Sequence, residues 1–372
     1  MNILALNWND LKNPYAGGAE VQLEEVLRRL VKFGHRVTLV CSGWSGCKSE
    51  EIIHGVRIVR FGSRYTFNLV VPRHLRRLVK HEQFDVLLED INKVPFYTPW
   101  YLDIDTVVAI PHLFADSIFQ ETNLVFASYV YMAEKPLISA YRGCKYYVVS
   151  ESTAQDIIAR GVPAADVRVI YNGLDHDDYT YDPSVPKFDR PTVMYLGRIK
   201  KYKSIQHLIE AFGRVKKRLP DAQMMVVGDG DYLPALKAQA RTLKLQDDIE
   251  FTGFIPQKDK IGRLRRAHVA VLPSTKEGWG LTNIEANAVG TPVIAADAPG
   301  LRDSVKHDET GFLFPWGDID ALTERLLQIL EDKQLAERLT KGGLRWAEGF
   351  SWDTTAREVE ALLMEVAGKQ AP

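Results

Sequence analysis

At 372 residues, 46% of them hydrophobic and 26% charged, the chain can bury a large core and is expected to form two domains. Its 47 Lys+Arg against 48 Asp+Glu give a formal net charge of −1, with no excess of either sign to hold a polyanion, which argues against a dedicated nucleic-acid binder. Cys41, Cys47 and Cys144 make neither a disulfide framework nor a zinc-ligand spacing, and no apolar run reaches the roughly 18 residues of a spanning helix.

In chain order, short β-rich runs alternate with helical patterns: Asn2 to Leu6, a helix from Glu20 to Phe33, then Arg36 to Cys41, Phe84 to Leu88 and Thr106 to Ile110. Strand, crossover helix, strand predicts an α/β fold with a parallel, doubly wound sheet. Tyr147 to Val149 follows, the Ser152 and Gln155 pair suggests a capping box, and Arg168 to Tyr171 reads as the last strand of this unit. His176 to Pro191 has no periodicity and carries Pro183, Pro186 and Pro191, so it reads as an interdomain linker.

The alternation restarts with Thr192 to Leu196, a helix from Ile205 to Leu219, and strands at Gln223 to Val227, Ile249 to Thr252, Val269 to Leu272 and Pro292 to Ala295. Ser351 to Ala367 is an amphipathic helix with Val359, Leu362, Leu363 and Val366 on its apolar face. The expected division is 1–176, 177–350 and a bracing helix at 351–372. Open α/β sheets collect ligands beyond the carboxyl ends of their strands, so two Rossmann-like units facing each other would place a site in the cleft between them.

The loop Trp8 to Glu20 carries Gly17 and Gly18 just before a helix, where backbone amides can approach an anion; a plain strand-to-helix turn reads equally well. Gly228-Asp229-Gly230 reads as structural, since Leu stands at 233 where a dinucleotide fingerprint needs its third glycine. After the strand Thr192 to Leu196 come Gly197, Arg198 and a cationic loop with Lys200, Lys201 and Lys203, side chains suited to a diphosphate or simply solvated. The densest stretch runs from Pro273 to Gly300. There Glu285, one turn into a helix opened by Gly280 and Leu281, could accept from a ribose diol, and the amides of Gly280 to Thr282 could receive phosphate oxygens. Glu277 and Glu285 read equally as an ordinary surface charge and a helix N-terminal charge. His112 follows the strand Thr106 to Ile110 at a carboxyl end. Asp103 with Asp105 and Asp318 with Asp320 have metal-pair spacing but are discounted by their positions, so no metal site is expected.

Together these stretches resemble the retaining family 4 glycosyltransferases of the two-domain GT-B fold. The resemblance covers nearly the whole chain: AGGAE, PH after a first-domain strand, VIYNGLD, LGRIKKYKS, VVGDGD, FTGFIP, PSTKEGWGLTNIEANAVGTPVIAADAPGLRDSV and TGFLFPWGD. Its most specific item is E-x7-E, here Glu277 and Glu285. The segment after Pro111 departs from the commoner His-Asp pattern, reading His112-Leu113-Phe114.

The resemblance implies transfer of a hexosyl unit from a nucleoside diphosphate sugar, UDP-hexose or GDP-mannose, to a hydroxyl of a glycan, lipid-linked or small-molecule acceptor, with retention and without a divalent metal or other cofactor. It places Arg198 and Lys203 on the diphosphate, Glu285 on the ribose, and Glu277, Gly278, Trp279, Gly280, Leu281 and Thr282 around the donor. Gly17, Gly18 and His112 come to the reacting end from the first domain. A nucleotide-sugar epimerase and a non-catalytic nucleotide-sugar-binding subunit are the alternatives.

The chain's start, Met1 to Trp8, lacks a basic leader segment, so a cytoplasmic protein is expected. Between Ile52 and His81 no acidic residue occurs, whereas Arg57, Arg60, Arg64, Arg73, Arg76, Arg77 and Lys80 are basic. Segment 57–80 could lie on anionic lipid at the inner face of a membrane or form a solvated basic face.

Overall fold

The structure, a computed structural model, describes residues 1–92, 94–113, 118 and 124–369. The chain forms two compact units, Met1–Gly173 together with the C-terminal residues from Trp352 onward, and Leu174–Ser351.

The first unit runs β1 (Asn2–Leu6), α1 (Gly18–Lys32), β2 (Arg36–Ser42), β3 (Glu50–Ile53), β4 (Val56–Phe61), α2 (Phe67–His81), β5 (Val86–Asp90), β6 (Thr106–Ile110), α3 (Leu124–Glu134), α4 (Leu137–Ala140), β7 (Lys145–Val148), α5 (Glu151–Ala159) and β8 (Val167–Val169). Its 8-stranded sheet has the order β3-β4-β2-β1-β5-β6-β7-β8. Every pairing is parallel except β3 with β4. Runs such as NILAL and TVVAI are apolar after their first residue because both faces of a parallel sheet are covered. Side chains alternate across β1: Ile3 and Ala5 join Val26, Leu27 and Leu30 of α1, while Leu4 and Leu6 join Phe67, Val71 and Leu75 of α2.

The second unit runs β9 (Thr192–Leu196), α6 (Ile205–Arg218), β10 (Gln223–Val227), α7 (Leu233–Thr242), β11 (Ile249–Gly253), α8 (Gln257–Arg266), β12 (Val269–Leu272), α9 (Leu281–Ala288), β13 (Val293–Ala296), α10 (Leu301–Ser304), β14 (Gly311–Phe314), α11 (Ile319–Glu331) and α12 (Lys333–Ala347). Its 6-stranded sheet, all parallel, has the order β11-β10-β9-β12-β13-β14. The last helix, α13 (Trp352–Val366), returns to the first unit, where Val359, Leu362 and Leu363 are buried in the cluster around α1.

Several expectations need correction. The hairpin of β3 and β4, closed by His54 and Gly55 at φ 48° and 84°, overlaps the start of the stretch read as a basic run. Arg57 of that run pairs with Glu50 and Glu82, and Arg60 is buried between Asp10 and Glu51 at 2.6 Å from each, beneath the Trp44 ring. Neither faces outward as a free cation. The cap of α5 is Ser150 rather than Ser152: its hydroxyl accepts from the Thr153 amide at 3.2 Å. The segment read as a linker packs into the second unit, with Tyr179 buried and Lys187 donating to Arg265 O, Gly290 O and Thr291 Oγ1. Strand β14 went unread. Phe114, the last residue of the variant motif, lies outside the described residues.

Candidate functional site

In the second unit the sheet order reverses beside β9, whose neighbours are β10 and β12. The loops leaving the carboxyl ends of β9 and β12 are therefore adjacent, at the topological switch point where open sheets bind ligands. These are the loops that carry Arg198 and Lys203 on one side and Glu277 on the other. They are sewn together by the Thr275 amide, which donates to Tyr202 O at 3.0 Å.

The first loop is built on close backbone packing. A Cβ on Gly228 would lie 2.0 Å from Gly197 O, and one on Gly230 would lie 2.0 Å from Ile199 O, so both glycines of the Gly-Asp-Gly stretch are structural. The Tyr195 hydroxyl donates to Arg198 O at 2.8 Å and fixes the turn. Ser204 sits at φ +55°, its hydroxyl held by Trp316 Nε1 at 3.1 Å. Three cations of this loop then differ in fate. Lys200 is tied to Asp231 at 2.6 Å. Arg198 is exposed and makes no ion pair among the described residues. Lys203, its side chain 13% exposed, bonds Glu277 Oε1 directly. Burial works against the charge on Lys203, but the Glu277 carboxylate outweighs it and holds the ammonium above its ordinary pKa, with Arg198 acting in the opposite sense.

The second loop leads into α9. The Glu277 amide donates to Pro299 O at 3.0 Å, and Gly300, at φ +77°, lies so close that a Cβ there would sit 2.1 Å from Glu277 O. Gly280 caps the helix and is equally confined: its Cβ would meet Ser304 Oγ at 2.4 Å. The Gly280 amide points to Gly300 O and the Asn283 amide to Gly280 O at 2.8 Å. The amides of Leu281 and Thr282 make no hydrogen bond among the described residues, which leaves two donors at the positive end of the helix dipole. Trp279 turns its indole inward, 4% exposed and 5.3 Å from the Phe350 ring.

Glu285, one turn into α9, is 9% exposed. Its Oε1 accepts from the Tyr179 hydroxyl at 2.5 Å and from Lys260 Nζ at 3.2 Å. Neither partner was foreseen: they stand 106 and 25 residues away in the chain, and no motif marks them. Asp318, set aside as a metal ligand, caps α11 by accepting from the Ala321 amide at 2.8 Å, and Asp320 pairs with Arg214.

In the first unit the order reverses at β1, between β2 and β5, so the Gly17-Gly18 loop also stands at a switch point. A Cβ on Gly18 would meet nothing within 4 Å, so packing does not demand that glycine, and Gly17 is extended at φ −146°, a conformation open to any residue. The Gly17 amide is already used, donating to Glu20 Oε2 at 2.7 Å. Below it, Glu20 Oε1 accepts from Asn9 at 2.9 Å and Asn92 at 3.4 Å. His112 stands half-buried just beyond β6.

The family described as Glycosyltransferase Family 4 matches residues 16–178, and that described as Glycosyl transferases group 1 matches residues 180–346. The GDP-mannose-dependent alpha-(1-6)-phosphatidylinositol monomannoside mannosyltransferase of Mycobacterium tuberculosis is 27% identical over 58% of this chain, and the match spans 60% of that enzyme. The phosphatidyl-myo-inositol mannosyltransferase of the same species is 27% identical over 94% of this chain and 93% of its own length. Among solved structures, the sucrose-phosphate synthase of Thermosynechococcus elongatus superposes with a TM-score of 0.82 at 21% identity, covering 99% of this chain and 100% of that one, a likeness of fold. The two family matches lie one on each unit, in the order that the sequence motifs anticipate, and the chain belongs to the family 4 glycosyltransferases.

Proposed function

We propose that the chain transfers a hexosyl unit from a nucleoside diphosphate sugar to an acceptor hydroxyl, with retention and without a divalent metal. The observation that carries this reading is one cluster in the second unit: an exposed Arg198 with no counter-ion among the described residues, Lys203 beside it, and the open amides of Leu281 and Thr282. Departure of a nucleoside diphosphate builds negative charge on phosphate and oxocarbenium character on the sugar. Fixed cations and helix amides aimed at that charge stabilise the transition state more than the ground state. Glu285 would take the ribose hydroxyls, and Glu277 with the Gly278–Trp279 backbone would lie along the sugar.

Of the candidate donors, GDP-mannose is the first to test, because the mycobacterial relatives are named as mannosyltransferases and one as GDP-mannose-dependent. Their names also point to an inositol glycolipid as the acceptor class. A lipid acceptor fits the outer face of α2, where Arg73, Arg77 and Lys80 are exposed beside Leu69, and where Asn68 reaches the Tyr129 hydroxyl of α3. Leu124, Val125 and Met132 of α3 are 72%, 78% and 59% exposed. Peripheral contact through this face needs no spanning segment, and none of the described helices is long and apolar enough to cross a membrane.

Calorimetric titration with UDP and GDP, followed by turnover of GDP-mannose and the UDP-hexoses with and without EDTA, tests the donor reading. Binding of one nucleotide diphosphate and EDTA-resistant transfer are expected; donor isomerisation without an acceptor would make the chain an epimerase, and binding without transfer a regulatory subunit. Intact mass during slow turnover separates front-face transfer from double displacement, since a sugar adduct on Glu277 or Glu285 belongs only to the latter. Sedimentation with anionic liposomes at low and high salt tests the membrane face, and no binding at low salt refutes it.

A further inference from the structure

Glu285 is gripped from two sides by side chains that no motif supplies. Tyr179 comes from the segment that opens the second unit and Lys260 from α8, and both donate to the same oxygen, Oε1. Lys260 Nζ also lies 5.1 Å from the centre of the Tyr179 ring, so the three groups form one compact set. They are largely shut from water, Tyr179 at 5% exposure and the Lys260 and Glu285 side chains at 20% and 11%.

A carboxylate oxygen accepts about two hydrogen bonds, so Oε1 is filled, while Oε2 makes none among the described residues. Burial, reinforced by the Glu285 carboxylate, pushes the Tyr179 phenol far above its usual range, so it stays protonated and always donates. Lys260 places a positive charge against the same oxygen, 3.2 Å away. The carboxyl group is thus held in one rotation, with one oxygen spent and the other open.

We propose that Tyr179 and Lys260 are positioning residues that occupy Oε1 of Glu285 and thereby present Oε2 to the ribose hydroxyls of a nucleoside diphosphate. The inference rests on Glu285 being the ribose-holding carboxylate, as read above, and adds what sets its aim. Both hydroxyls then converge on a single oxygen, and a nucleotide lacking the 2′-hydroxyl leaves one of its acceptor positions empty in a site with little water. Without the phenol, either oxygen can swing to Lys260 and the diol meets a carboxylate of undefined rotation. Without the ammonium, the carboxylate loses its counter-charge.

The test titrates the full-length protein with UDP and GDP and their 2′-deoxy counterparts, in the wild type and in Tyr179→Phe, Lys260→Met and Glu285→Gln. The wild type is expected to prefer the ribonucleotide about tenfold or more, and each of the first two variants to lose about three- to tenfold of that preference while keeping its affinity for the 2′-deoxy form. In steady state the loss falls on the donor KM, with kcat moved less than about threefold. Melting curves accompany each variant; should Lys260→Met fail to fold, Tyr179→Phe, which lacks a single oxygen, decides. If Glu285→Gln loses the preference while both other variants keep the wild-type ratio, the pair merely packs and the proposal is overturned. If Glu285→Gln keeps the ratio too, or the wild type binds neither nucleotide, Glu285 does not read ribose and the earlier assignment fails instead.

Discussion

Replacing Lys203 with Met keeps the length of the side chain and deletes its charge, which separates its proposed role on the diphosphate from its observed pairing with Glu277. As a partner of the diphosphate, an ammonium about 4 Å from a phosphate oxygen is worth roughly 4 kcal/mol at an effective dielectric near 20, and about 3–4 kcal/mol after desolvation losses corresponds to a 10²- to 10³-fold fall in turnover. As the counter-ion of Glu277, it stabilises the fold. The pair is 13% and 18% exposed, so the roughly 3–5 kcal/mol cost of breaking a fully buried pair shrinks here to about 1–2 kcal/mol, a loss of roughly 2–8 °C in Tm. Because the folded pKa of Lys203 is raised, this stabilisation is fully present below the ordinary lysine pKa and is lost only as pH rises through the folded value, so melting curves at pH 7.5 read all of it.

The decisive assay is a cycle of Lys203→Met, Glu277→Gln and the double variant, with donor turnover and Tm measured for each. If the lysine acts on the diphosphate, the double variant recovers stability but turns over no faster than Lys203→Met. Near-wild-type turnover in Lys203→Met, or recovery of turnover in the double variant, would refute the reasoning and leave the lysine a structural counter-ion.

Three further predictions follow from other parts of the chain. Gly300→Ala places a methyl group against Glu277 O and Gly278 O, so the acidic loop must move; turnover should fall at least about tenfold while the far-ultraviolet spectrum is kept, and unchanged turnover would show that the loop yields freely. Glu89, fully buried at the end of β5, accepts from the Phe96 amide at 2.8 Å, Thr98 Oγ1 at 2.5 Å and the Tyr141 hydroxyl. Glu89→Leu strands those donors and should cost about 3 kcal/mol or more in urea unfolding; a loss under about 1 kcal/mol would mean that they find other partners. Burial, with a smaller push from Lys187, lowers His268 to about 4, where its Nδ1 accepts the Thr192 amide at 3.0 Å as a neutral ring. This depressed value stabilises the fold above the ordinary histidine pKa near 6.5 and loses about 2–3 kcal/mol as pH falls from there toward 4. His268→Asn, which keeps an acceptor in place, should flatten that slope, and a parallel slope in the variant would remove histidine as its cause.

The parallel strands were legible because a strand covered on both faces is a short, uninterrupted apolar run, as in β1, β6 and β12, and such runs stand out against the polar loops. The β3–β4 hairpin was not, because its two-residue turn is His54-Gly55 and its strands carry Arg57 and Arg60, which pair both across the hairpin with Glu50 and Glu51 and with Glu82 and Asp10 outside it. The same holds at the site. Glu277, Glu285, Arg198 and Lys203 could be picked out because they sit in dense local motifs, and the order β10-β9-β12 explains why the Lys203 and Glu277 loops meet. The pairing of Glu285 with Tyr179 and Lys260 arises only from the fold, since separations of 106 and 25 residues leave no periodic trace. Trp279 was placed near the donor by the family resemblance alone. In the structure its indole is buried beside Phe350, a contact that no local motif announces.

The place of α13 has a consequence for biosynthesis. Val359, Leu362 and Leu363 are fully or almost fully shielded against α1, yet they leave the ribosome only after the entire second unit has been made. Until then the nascent first sheet lacks the cover for Leu27 and Leu30, side chains each worth roughly 1.5–3 kcal/mol when enclosed. Translation order and maturation order are therefore reversed: residues 174–351 can settle first, aided by the contact of His176 Nε2 with Phe350 O at 2.7 Å that joins the beginning and end of the segment. The amino-terminal lobe waits, and a premature stop near codon 350 would strike the part of the molecule that was synthesised earliest.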